Sequence, residues 1–274
     1  MKALLERLSY RPELIAVARK LHLRRIARQL YYRWMCPSDG VLRVQIGDIK
    51  AQFRVRTPEE LRVFGKAASG CWEREVLERI LASLHLGDLV FDVGAHVGLY
   101  SVLLAKAVGQ QGCVVAFEPH TENFLHLQSN LALNAITNVR LFQKALGDSS
   151  GRVRLYFSED LLFCKLMRPR GTETSFQTVE VLEGDAVVAQ ERLGVPRAVK
   201  IDVEGHEHAV LRGLRRTLSE PACQLVACEV HPTLLPPGID PSHVMDLLRD
   251  LGFSRTRVMR YPKIPEFHVL AYKA

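Results

Sequence analysis

The stretch that decides the fold of this 274-residue chain is Leu89-Val-Phe-Asp-Val-Gly-Ala-His-Val-Gly-Leu99. A short apolar run ends at Asp92, Gly94 and Gly98 bracket a turn, and a helical pattern begins at once. A second apolar run, Val-Val-Ala-Phe-Glu-Pro, ends at Glu118. Strand, glycine turn, helix and strand together form the unit that binds the adenosine part of many cofactors.

The spacing of the two glycines distinguishes between such cofactors. Dinucleotide sites favour a third glycine near the pyrophosphate, whereas here Tyr100 and Ser101 follow Gly98. An acid just before the turn suits a ligand that carries an ammonium group, as S-adenosylmethionine does. The carboxylate of Glu118 is able to accept hydrogen bonds from both hydroxyls of a ribose. The pattern therefore favours S-adenosylmethionine over a nicotinamide dinucleotide.

Two further groups of polar residues follow predicted strands. One apolar strand ends at Asp202 in Lys-Ile-Asp-Val-Glu-Gly-His-Glu, which also contains Glu204. Another ends in Cys-Glu-Val-His-Pro, where Glu229 and His231 share one face of the strand because they are two residues apart. Ligands of open α/β sheets bind at the carboxyl ends of the strands, so we expect these side chains to meet at a binding edge.

The motifs DVGAHVG, FEP, KIDVEGHE and CEVHP, in this order and spacing, resemble the FkbM family of S-adenosylmethionine-dependent methyltransferases. The similarity covers roughly residues 70 to 235. It implies an α/β fold of the Rossmann-like class I methyltransferase type, with a mostly parallel sheet of about seven strands and helices on both faces. We accordingly predict a methyltransferase domain over residues 71–274 and a basic N-terminal extension, with helices and a small hairpin, over residues 1–70.

The resemblance also implies which residues contact the cofactor. They are Asp92, Gly94, His96, Gly98, Glu118, Asp148 and Asp202, with Asp148 closing an adenine-side segment that begins at Lys144. The family usually has asparagine at position 96, and a histidine there is expected to make cofactor binding pH-dependent. A second departure is Val181–Asp185, where the family tends to show a Leu-Asp pair. Either Glu183 or Asp185 takes that place.

The residues expected to act in catalysis are His231, Asp202, Glu204 and Glu229. Methyl transfer to a hydroxyl benefits from a base, and an unperturbed histidine titrates near neutrality, so His231 is the predicted base. The resemblance gives Asp202 and Glu204 an active-site role, which we interpret as orienting cofactor or acceptor. Two alternatives stay open. In one, Glu229 and His231 form a polar pair beneath the following proline-rich loop. In the other, a divalent cation is held by Asp202, Glu204, Glu229 and His231. The spacing does not itself require a metal, so none is predicted.

The predicted function is O-methylation of a hydroxyl on a glycan, a sugar or a natural product, with a small-molecule or glycan acceptor. A basic loop with Arg168 and Arg170 either contacts an anionic acceptor or is simply solvated. One alternative function is a nicotinamide-dependent oxidoreductase, which the missing third glycine disfavours. The other is a non-catalytic scaffold that docks through its basic N-terminus. Acids at the ligand edge argue against a scaffold.

Positive charge is concentrated at the N-terminus. Residues 1–36 carry nine Lys and Arg residues against Glu6 and Glu13, and this excess equals the net charge of +7 of the whole chain. Apolar residues alternate with these bases at helical spacing. We interpret the segment either as a solvated helix that caps the domain or a partner subunit, or as a helix that makes peripheral contact with a membrane surface. Nucleic acid is disfavoured because the segment lacks an aromatic-stacking pattern beyond Tyr31, Tyr32 and Trp34.

The cysteines and the hydropathy bear on location. Six cysteines show no CxxC pair, and three lie within apolar strand patterns, which is typical of reduced thiols. The chain has no apolar run of about eighteen residues, the length needed to cross a membrane. We therefore expect a cytoplasmic protein, with the inner membrane surface as its peripheral contact. The sequence does not indicate an oligomeric state.

Overall fold

A computed structural model describes residues 32–68, 72–158, 161–165, 175–262 and 264–274. Most of the basic segment, residues 1–31, and the loop 166–174 with its two arginines lie outside these residues. The membrane and anion interpretations of those segments therefore stay predictions. Among the described helices, none is both long and apolar enough to cross a bilayer.

The strands and helices alternate along most of the chain. In order they are β1 (Val41–Ile46), β2 (Ile49–Arg54), α1 (Pro58–Ala68), α2 (Trp72–Leu81), β3 (Leu89–Val93), α3 (Leu99–Val108), β4 (Cys113–Phe117), α4 (Thr121–Leu133), β5 (Val139–Phe142), β6 (Ala145–Gly147), β7 (Gly151–Ser158), β8 (Leu161–Lys165), β9 (Ser175–Glu183), α5 (Gly184–Gln190), β10 (Ala198–Ile201), α6 (Glu207–Gly213), α7 (Arg215–Ser219), β11 (Leu225–Val230), α8 (Pro241–Asp250), β12 (Arg255–Arg260) and β13 (Phe267–Tyr272).

The central sheet has seven strands in the order β12-β13-β11-β10-β3-β4-β5. Strands β5, β4, β3, β10 and β11 run parallel, and β13 is antiparallel to both of its neighbours. Successive residues of β3 serve opposite faces: Val90 packs into one apolar cluster and Phe91 into the other. Burial on both faces explains why the parallel strands are apolar throughout. The predicted fold class, with a mostly parallel sheet of about seven strands, is confirmed.

The strand order reverses between β3 and β10. From β3 the chain proceeds outwards through β4 and β5, and later it returns to β10 on the opposite side of β3. Crevices in open α/β sheets form at the carboxyl ends of the strands beside such a reversal. The ends of β3 and β10 are in register, with Asp92 opposite Lys200. The functional residues are therefore expected at this point.

The hairpin β1-β2 packs against helices α3 and α4, and helix α1 packs against the hairpin. Phe53 of β2 stacks on Phe64 of α1, with ring centres 4.5 Å apart, and both belong to the cluster that includes Leu103 of α3. The side chains of Asn130 and Asn134 on α4 accept hydrogen bonds from backbone N–H groups of β2 at 2.9 Å. The predicted hairpin is thus present, and its apolar face is part of the domain's core.

A second sheet, β6-β9-β7-β8, extends the domain beyond β5. Strand β7 is antiparallel to β8 and β9, while β9 runs parallel to β6. The alternation of apolar and polar residues over 149–180 predicts an antiparallel insertion, and the structure has one, although its last strand reaches Glu183. Because β9 pairs with β6, the sheet positions the segment that precedes the insertion.

The sequence pattern from His206 to Leu218 predicts one helix, but the structure has two, α6 and α7. Leu214 leaves the helical conformation between them. The carboxylate of Asp185 then accepts hydrogen bonds from the backbone N–H groups of Arg216 at 2.7 Å and Thr217 at 2.9 Å, so it caps the start of α7. A capping residue thirty-one positions away cannot be identified from local sequence.

Candidate functional site

A cavity of about 550 Å³ opens where β3, β4, β10 and β11 end. Its walls combine backbone of the glycine turn, apolar side chains and many charged groups. The predicted site residues that line it are Gly94, His96, Glu118, Asp202, Glu204, Glu229 and His231. The other three predicted contacts, Asp92, Gly98 and Asp148, are not among the lining residues.

Position 94 requires glycine for two reasons. Its φ is +79°, and a Cβ atom would lie 1.8 Å from the carbonyl oxygen of Asp202. The backbones that follow β3 and β10 therefore touch at this point. Gly98 also has a positive φ, but its face is turned to Leu127 of α4, whose Cδ1 would lie 2.6 Å from a Cβ. Gly98 thus serves helix packing, and Gly94 forms the cavity wall.

Glu118 is buried at the end of β4. One carboxylate oxygen accepts a hydrogen bond from the backbone N–H of His96 at 2.8 Å, and the other accepts one from the backbone N–H of His120 at 2.9 Å. Burial outweighs these bonds and raises the pKa of Glu118 to about 7. A carboxylate offers about four acceptor positions, so the two oxygens retain capacity for a pair of ribose hydroxyls.

His96 lies in the turn with a φ of 51°. Its backbone N–H supports Glu118, while burial lowers the pKa of its ring to about 4. The ring is therefore neutral at physiological pH. This corrects the expectation that His96 makes cofactor binding pH-dependent in the neutral range, because desolvation moves its titration into the acidic range.

Asp92 lies beneath the turn and is fully buried. It accepts a hydrogen bond from Ser101 Oγ at 2.6 Å, and its other oxygen is 3.4 Å from Lys200 Nζ. Because its carboxylate contacts Ser101 and Lys200 inside the protein, Asp92 contributes to cofactor binding only by holding the turn in position.

Lys200 is a site residue to which the sequence analysis gave no role. Its ammonium donates a hydrogen bond to the carbonyl of Gly94 at 2.8 Å and lies 3.6 Å from Asp202 Oδ2. Burial disfavours the charged form, but the carboxylates of Asp92 and Asp202 outweigh it and raise the pKa of Lys200. The available signal was a single lysine inside an otherwise apolar strand.

The adenine-side segment is only partly at the cavity. Lys144, Ala145 and Leu146 line it, whereas Asp148 points away and pairs with Arg212 at 3.6 Å. Asp185, one of the two acids considered for the family's Leu-Asp pair, caps α7 instead of lining the cavity.

His231 is held by an acid that lies outside the predicted set. Its Nδ1 is 2.6 Å from Oε1 of the fully buried Glu207, which leaves Nε2 facing Asp202 Oδ1 at 3.9 Å and Glu204 Oε2 at 3.8 Å. Burial favours the neutral ring, but the hydrogen bond to Glu207 and the nearby charges outweigh it and raise the pKa of His231 to about 10. The ring is therefore protonated at neutral pH in this arrangement, unlike the neutral base that its unperturbed pKa predicted.

Glu229 and His231 bind different partners. Glu229 Oε2 lies 3.4 Å from His268 Nε2, whereas His231 pairs with Glu207. The alternative in which the two form an isolated polar pair is thus not what the structure shows. Burial and the charge of Asp202 raise the pKa of Glu229 well above its usual range. In the described residues, Asp202, Glu229 and His231 each offer one ligand atom, and these atoms lie within 4.8 Å of one another.

The outer part of the cavity is formed by helix α1 and two loops. Arg62 and Lys66 of α1 face it, one helical turn apart. Thr233 and Leu234 come from the proline-rich loop, which confirms the prediction that this loop covers the ligand edge. The N-terminal extension therefore contributes directly to the wall of the cavity.

Comparison with known proteins identifies the family of the chain. Residues 92–255, more than half of the chain, match the Methyltransferase FkbM domain. The hexuronic acid methyltransferase AglP of Haloferax volcanii is 27% identical over 225 residues, which cover 81% of this chain and 87% of that protein. Methyltransferase sdnD of Sordaria araneosa is 30% identical, with 65% of this chain and 78% of that protein covered.

The 31-O-demethyl-FK506 methyltransferase FkbM of Streptomyces tacrolimicus is 28% identical, with 62% of this chain and 74% of that protein covered. Among solved structures, a SAM-dependent O-methyltransferase from Thermotoga maritima aligns at 16% identity with a TM-score of 0.46, covering 85% of this chain and 77% of that one. The domain match extends from the end of β3 to the start of β12 and contains the turn, Glu118 and the acidic strand ends. The chain therefore belongs to the FkbM methyltransferase family.

Proposed function

We propose that the protein is an S-adenosylmethionine-dependent O-methyltransferase that acts on a hydroxyl of a sugar, a glycan or a natural product. The observation that carries this proposal is a single cavity with two chemically different halves. Gly94, His96 and Glu118 form one half, and the acidic edge of Asp202, Glu204, Glu229 and His231 forms the other.

The first half suits the adenosine and amino-acid parts of the cofactor. When bound, S-adenosylmethionine supplies an electrophilic methyl group. Glu118 accepts hydrogen bonds from the ribose, and the turn at Gly94 admits a ligand close to the backbone. The carboxylate of Asp202 lies between the two halves, where it is able to bind an ammonium group. Lys200 anchors both Asp202 and the turn, so it keeps these groups in a fixed relation.

The second half suits an acceptor with hydroxyl groups. Carboxylates and imidazoles orient hydroxyls by accepting or donating hydrogen bonds, and they assist in removing the hydroxyl proton. Because His231 is protonated at neutral pH in this arrangement, the acidic edge provides this activation either through one of its carboxylates or through a cation that the edge holds. In both cases Glu207 fixes the ring of His231 so that Nε2 faces the cavity.

The outer wall favours an acceptor with an acidic group. Arg62 and Lys66 line the cavity together with the acids Glu73 and Glu266, and an arginine is well suited to bind a carboxylate. One of the similar proteins acts on a hexuronic acid and another on a demethylated FK506. We therefore propose a hydroxylated acceptor that carries a carboxylate, such as a uronic acid unit, as the first class to examine.

Calorimetric titration with S-adenosylhomocysteine, with NAD as the control ligand, tests the cofactor. We expect micromolar binding of the first and none of the second. An acceptor screen with methyl-labelled S-adenosylmethionine then compares uronic acids with the matching neutral sugars. Binding of NAD alone would contradict the proposed function. Binding of neither ligand would favour the scaffold interpretation.

A further inference from the structure

We propose that Asp202, Glu229 and His231 form a binding site for a divalent cation of the Mg²⁺ or Mn²⁺ class at the acceptor end of the cavity. The catalytic purpose of such a site rests on the proposed methyl transfer. Its existence rests only on the geometry of these side chains, which come from the ends of two neighbouring strands, β10 and β11.

The distances match a coordination sphere that closes around an ion. The three ligand atoms lie within 4.8 Å of one another in the absence of an ion. Bonds of about 2.1 Å to a common ion allow two ligand atoms to be up to about 4.2 Å apart. That limit applies to ligands on opposite sides of the ion, whereas adjacent ligands of an octahedron lie about 3 Å apart, so binding requires side-chain movements of about 1 Å. Both acids have room for them because the side chain of Asp202 is 31% exposed and that of Glu229 is 15% exposed.

His231 is arranged as a metal-binding histidine. Its side chain is only 5% exposed, and Nε2 faces Asp202 and Glu204 at distances longer than a hydrogen bond. Its other nitrogen contacts Glu207 at 2.6 Å. Histidines that bind metals almost always donate their second N–H to a carboxylate or carbonyl in this way, which fixes the ring and the tautomer. Glu207 is fully buried, and its second oxygen has no hydrogen-bond partner in the described part of the chain.

The ammonium group of Lys200 does not occupy the position of the proposed ion. Lys200 approaches Oδ2 of Asp202 at 3.6 Å, while Oδ1 is the oxygen on the side of His231. Lys200 is also tied to the carbonyl of Gly94. One oxygen of Asp202 is thus engaged by the protein, and the other remains directed at His231. Glu229 contacts His268 through Oε2 in a comparable way.

The donor set indicates the class of ion. Two carboxylates and one imidazole form an oxygen-rich site without thiolates, and this composition suits Mg²⁺ or Mn²⁺ rather than a softer metal. Three protein ligands leave positions for water and for oxygen atoms of the acceptor. A cation held here would therefore bind the acceptor hydroxyl directly.

Such a cation makes the hydroxyl more acidic in the proposed reaction. The hydroxyl proton passes to Glu204, whose Oε2 is 3.8 Å from the same Nε2 of His231. The acceptor oxygen forms its bond to the methyl carbon as the carbon–sulfur bond breaks, and the electron pair of that bond stays on sulfur. In this arrangement His231 loses its Nε2 proton to solvent when the ion binds and becomes a ligand, and Glu204 replaces it as the proton acceptor.

Mn²⁺ is the probe for the experiment, because the loss of its free electron paramagnetic resonance signal reports binding. The full-length protein is freed of metal with a chelator and then titrated. We expect one Mn²⁺ per chain with micromolar affinity. Asp202→Asn and Glu229→Gln should each weaken binding at least about tenfold, and Glu207→Gln by about tenfold through the histidine. Glu191→Gln is the matched control, since Glu191 is a surface acid paired with Arg140, and it should bind Mn²⁺ as the wild type does.

Two results would overturn the inference. One is the absence of saturable Mn²⁺ binding at concentrations up to about 1 mM, which would mean a dissociation constant weaker than about 1 mM. The other is unchanged affinity in both Asp202→Asn and Glu229→Gln, with circular dichroism showing that these variants are folded. Titration with S-adenosylhomocysteine separates the two proposals: a protein that binds it but not Mn²⁺ lacks only the cation site. A protein that binds Mn²⁺ but not S-adenosylhomocysteine refutes only the proposed function.

Discussion

Individual residues of the site owe their properties to burial as much as to their chemistry. Glu118 and His96 are adjacent in the turn region and are joined by a hydrogen bond, yet burial moves their pKa values in opposite directions, to about 7 and about 4. Desolvation disfavours whichever form is charged, so it raises the pKa of an acid and lowers that of a base. Glu118 is consequently the member of this pair that titrates near neutrality.

The pH dependence of cofactor binding follows from that difference. Below about pH 7 Glu118 is largely protonated, and above it the carboxylate is able to accept two ribose hydrogen bonds. We expect the affinity for S-adenosylhomocysteine to rise between pH 6 and pH 8. Glu118→Ala should weaken it by roughly 10- to 100-fold and remove the rise, since a hydrogen bond to a charged group contributes about 1.5–3 kcal/mol. Calorimetry across this range is the measurement.

His96→Asn provides the control for that experiment. Because the ring of His96 is already neutral at pH 6, this variant should keep the same rise. If the rise in affinity disappears in His96→Asn but persists in Glu118→Ala, the titrating group is His96 and the assignment to Glu118 is wrong.

Glycine 94 permits a second test at the residue scale. Gly94→Ala adds a Cβ that would lie 1.8 Å from the carbonyl oxygen of Asp202, in a backbone conformation with φ of +79°. Gly87→Ala has a similar φ of +90° but nothing within 4 Å of its Cβ. Backbone strain alone costs about 1–2 kcal/mol, so Gly87→Ala should lower the free energy of unfolding by about that amount. Gly94→Ala should lower it further and abolish cofactor binding. Equal losses in urea unfolding would show that the close approach of the two strand ends is unimportant.

At the scale of elements, buried polar contacts hold the hairpin and α1 against α4. The two ring nitrogens of His126 on α4 lie 2.9 Å from Glu60 Oε1 on α1 and 3.0 Å from the carbonyl of Arg54 on β2. Both neighbours are acceptors, and both side chains of the ion pair are at most 3% exposed. This contact therefore joins three elements inside the core that they share.

His126→Leu should destabilise the domain strongly. The substitution leaves Glu60 Oε1 without its partner, while Oε2 keeps the backbone N–H of Arg56, and a buried polar group left unsatisfied costs about 1–3 kcal/mol, more if it is charged. The double variant His126→Leu, Glu60→Leu should recover part of this loss, because it removes the unpaired charge. Urea unfolding measures both. His85→Leu, at an exposed position, is the control and should stay close to the wild type.

For the whole molecule, the strand order determines where chemistry takes place. Reversal between β3 and β10 brings the turn after one strand against the acids after the other, and helix α1 closes the outer wall. The basic segment, residues 1–31, precedes this arrangement in the chain. Its charge makes binding to anionic membranes the prediction to test at this scale.

Deleting residues 1–31 should abolish association with vesicles that contain anionic lipid. The deletion keeps Tyr32, whose hydroxyl donates a hydrogen bond to the carbonyl of Val55 at 3.2 Å, so the hairpin should stay in place. Binding of S-adenosylhomocysteine should be unchanged. Vesicle flotation with neutral lipid is the control, since electrostatic attraction requires anionic headgroups. Association that survives the deletion would refute the membrane interpretation.

The sequence by itself determined the elements and their class, because apolar runs, glycine turns and helical periodicity are local properties of the chain. The strand–turn–helix unit, the hairpin and the acids at the strand ends were all predictable in this way. Glycine spacing favoured the cofactor, and family resemblance implied which residues contact it. The sequence did not predict the division of α6 from α7. The contact that starts α7 comes from Asp185, which lies far from it along the chain.

Only the tertiary structure decided which side chains meet and in what protonation state. Lys200 reaches the carbonyl of Gly94 across 106 residues, and Glu207 fixes His231 across 24. Neither contact is encoded in a local pattern, because both depend on the order in which β3, β10 and β11 assemble. The charge of His231 depends in turn on burial and on the carboxylates gathered around it, and these exist only once the sheet has formed.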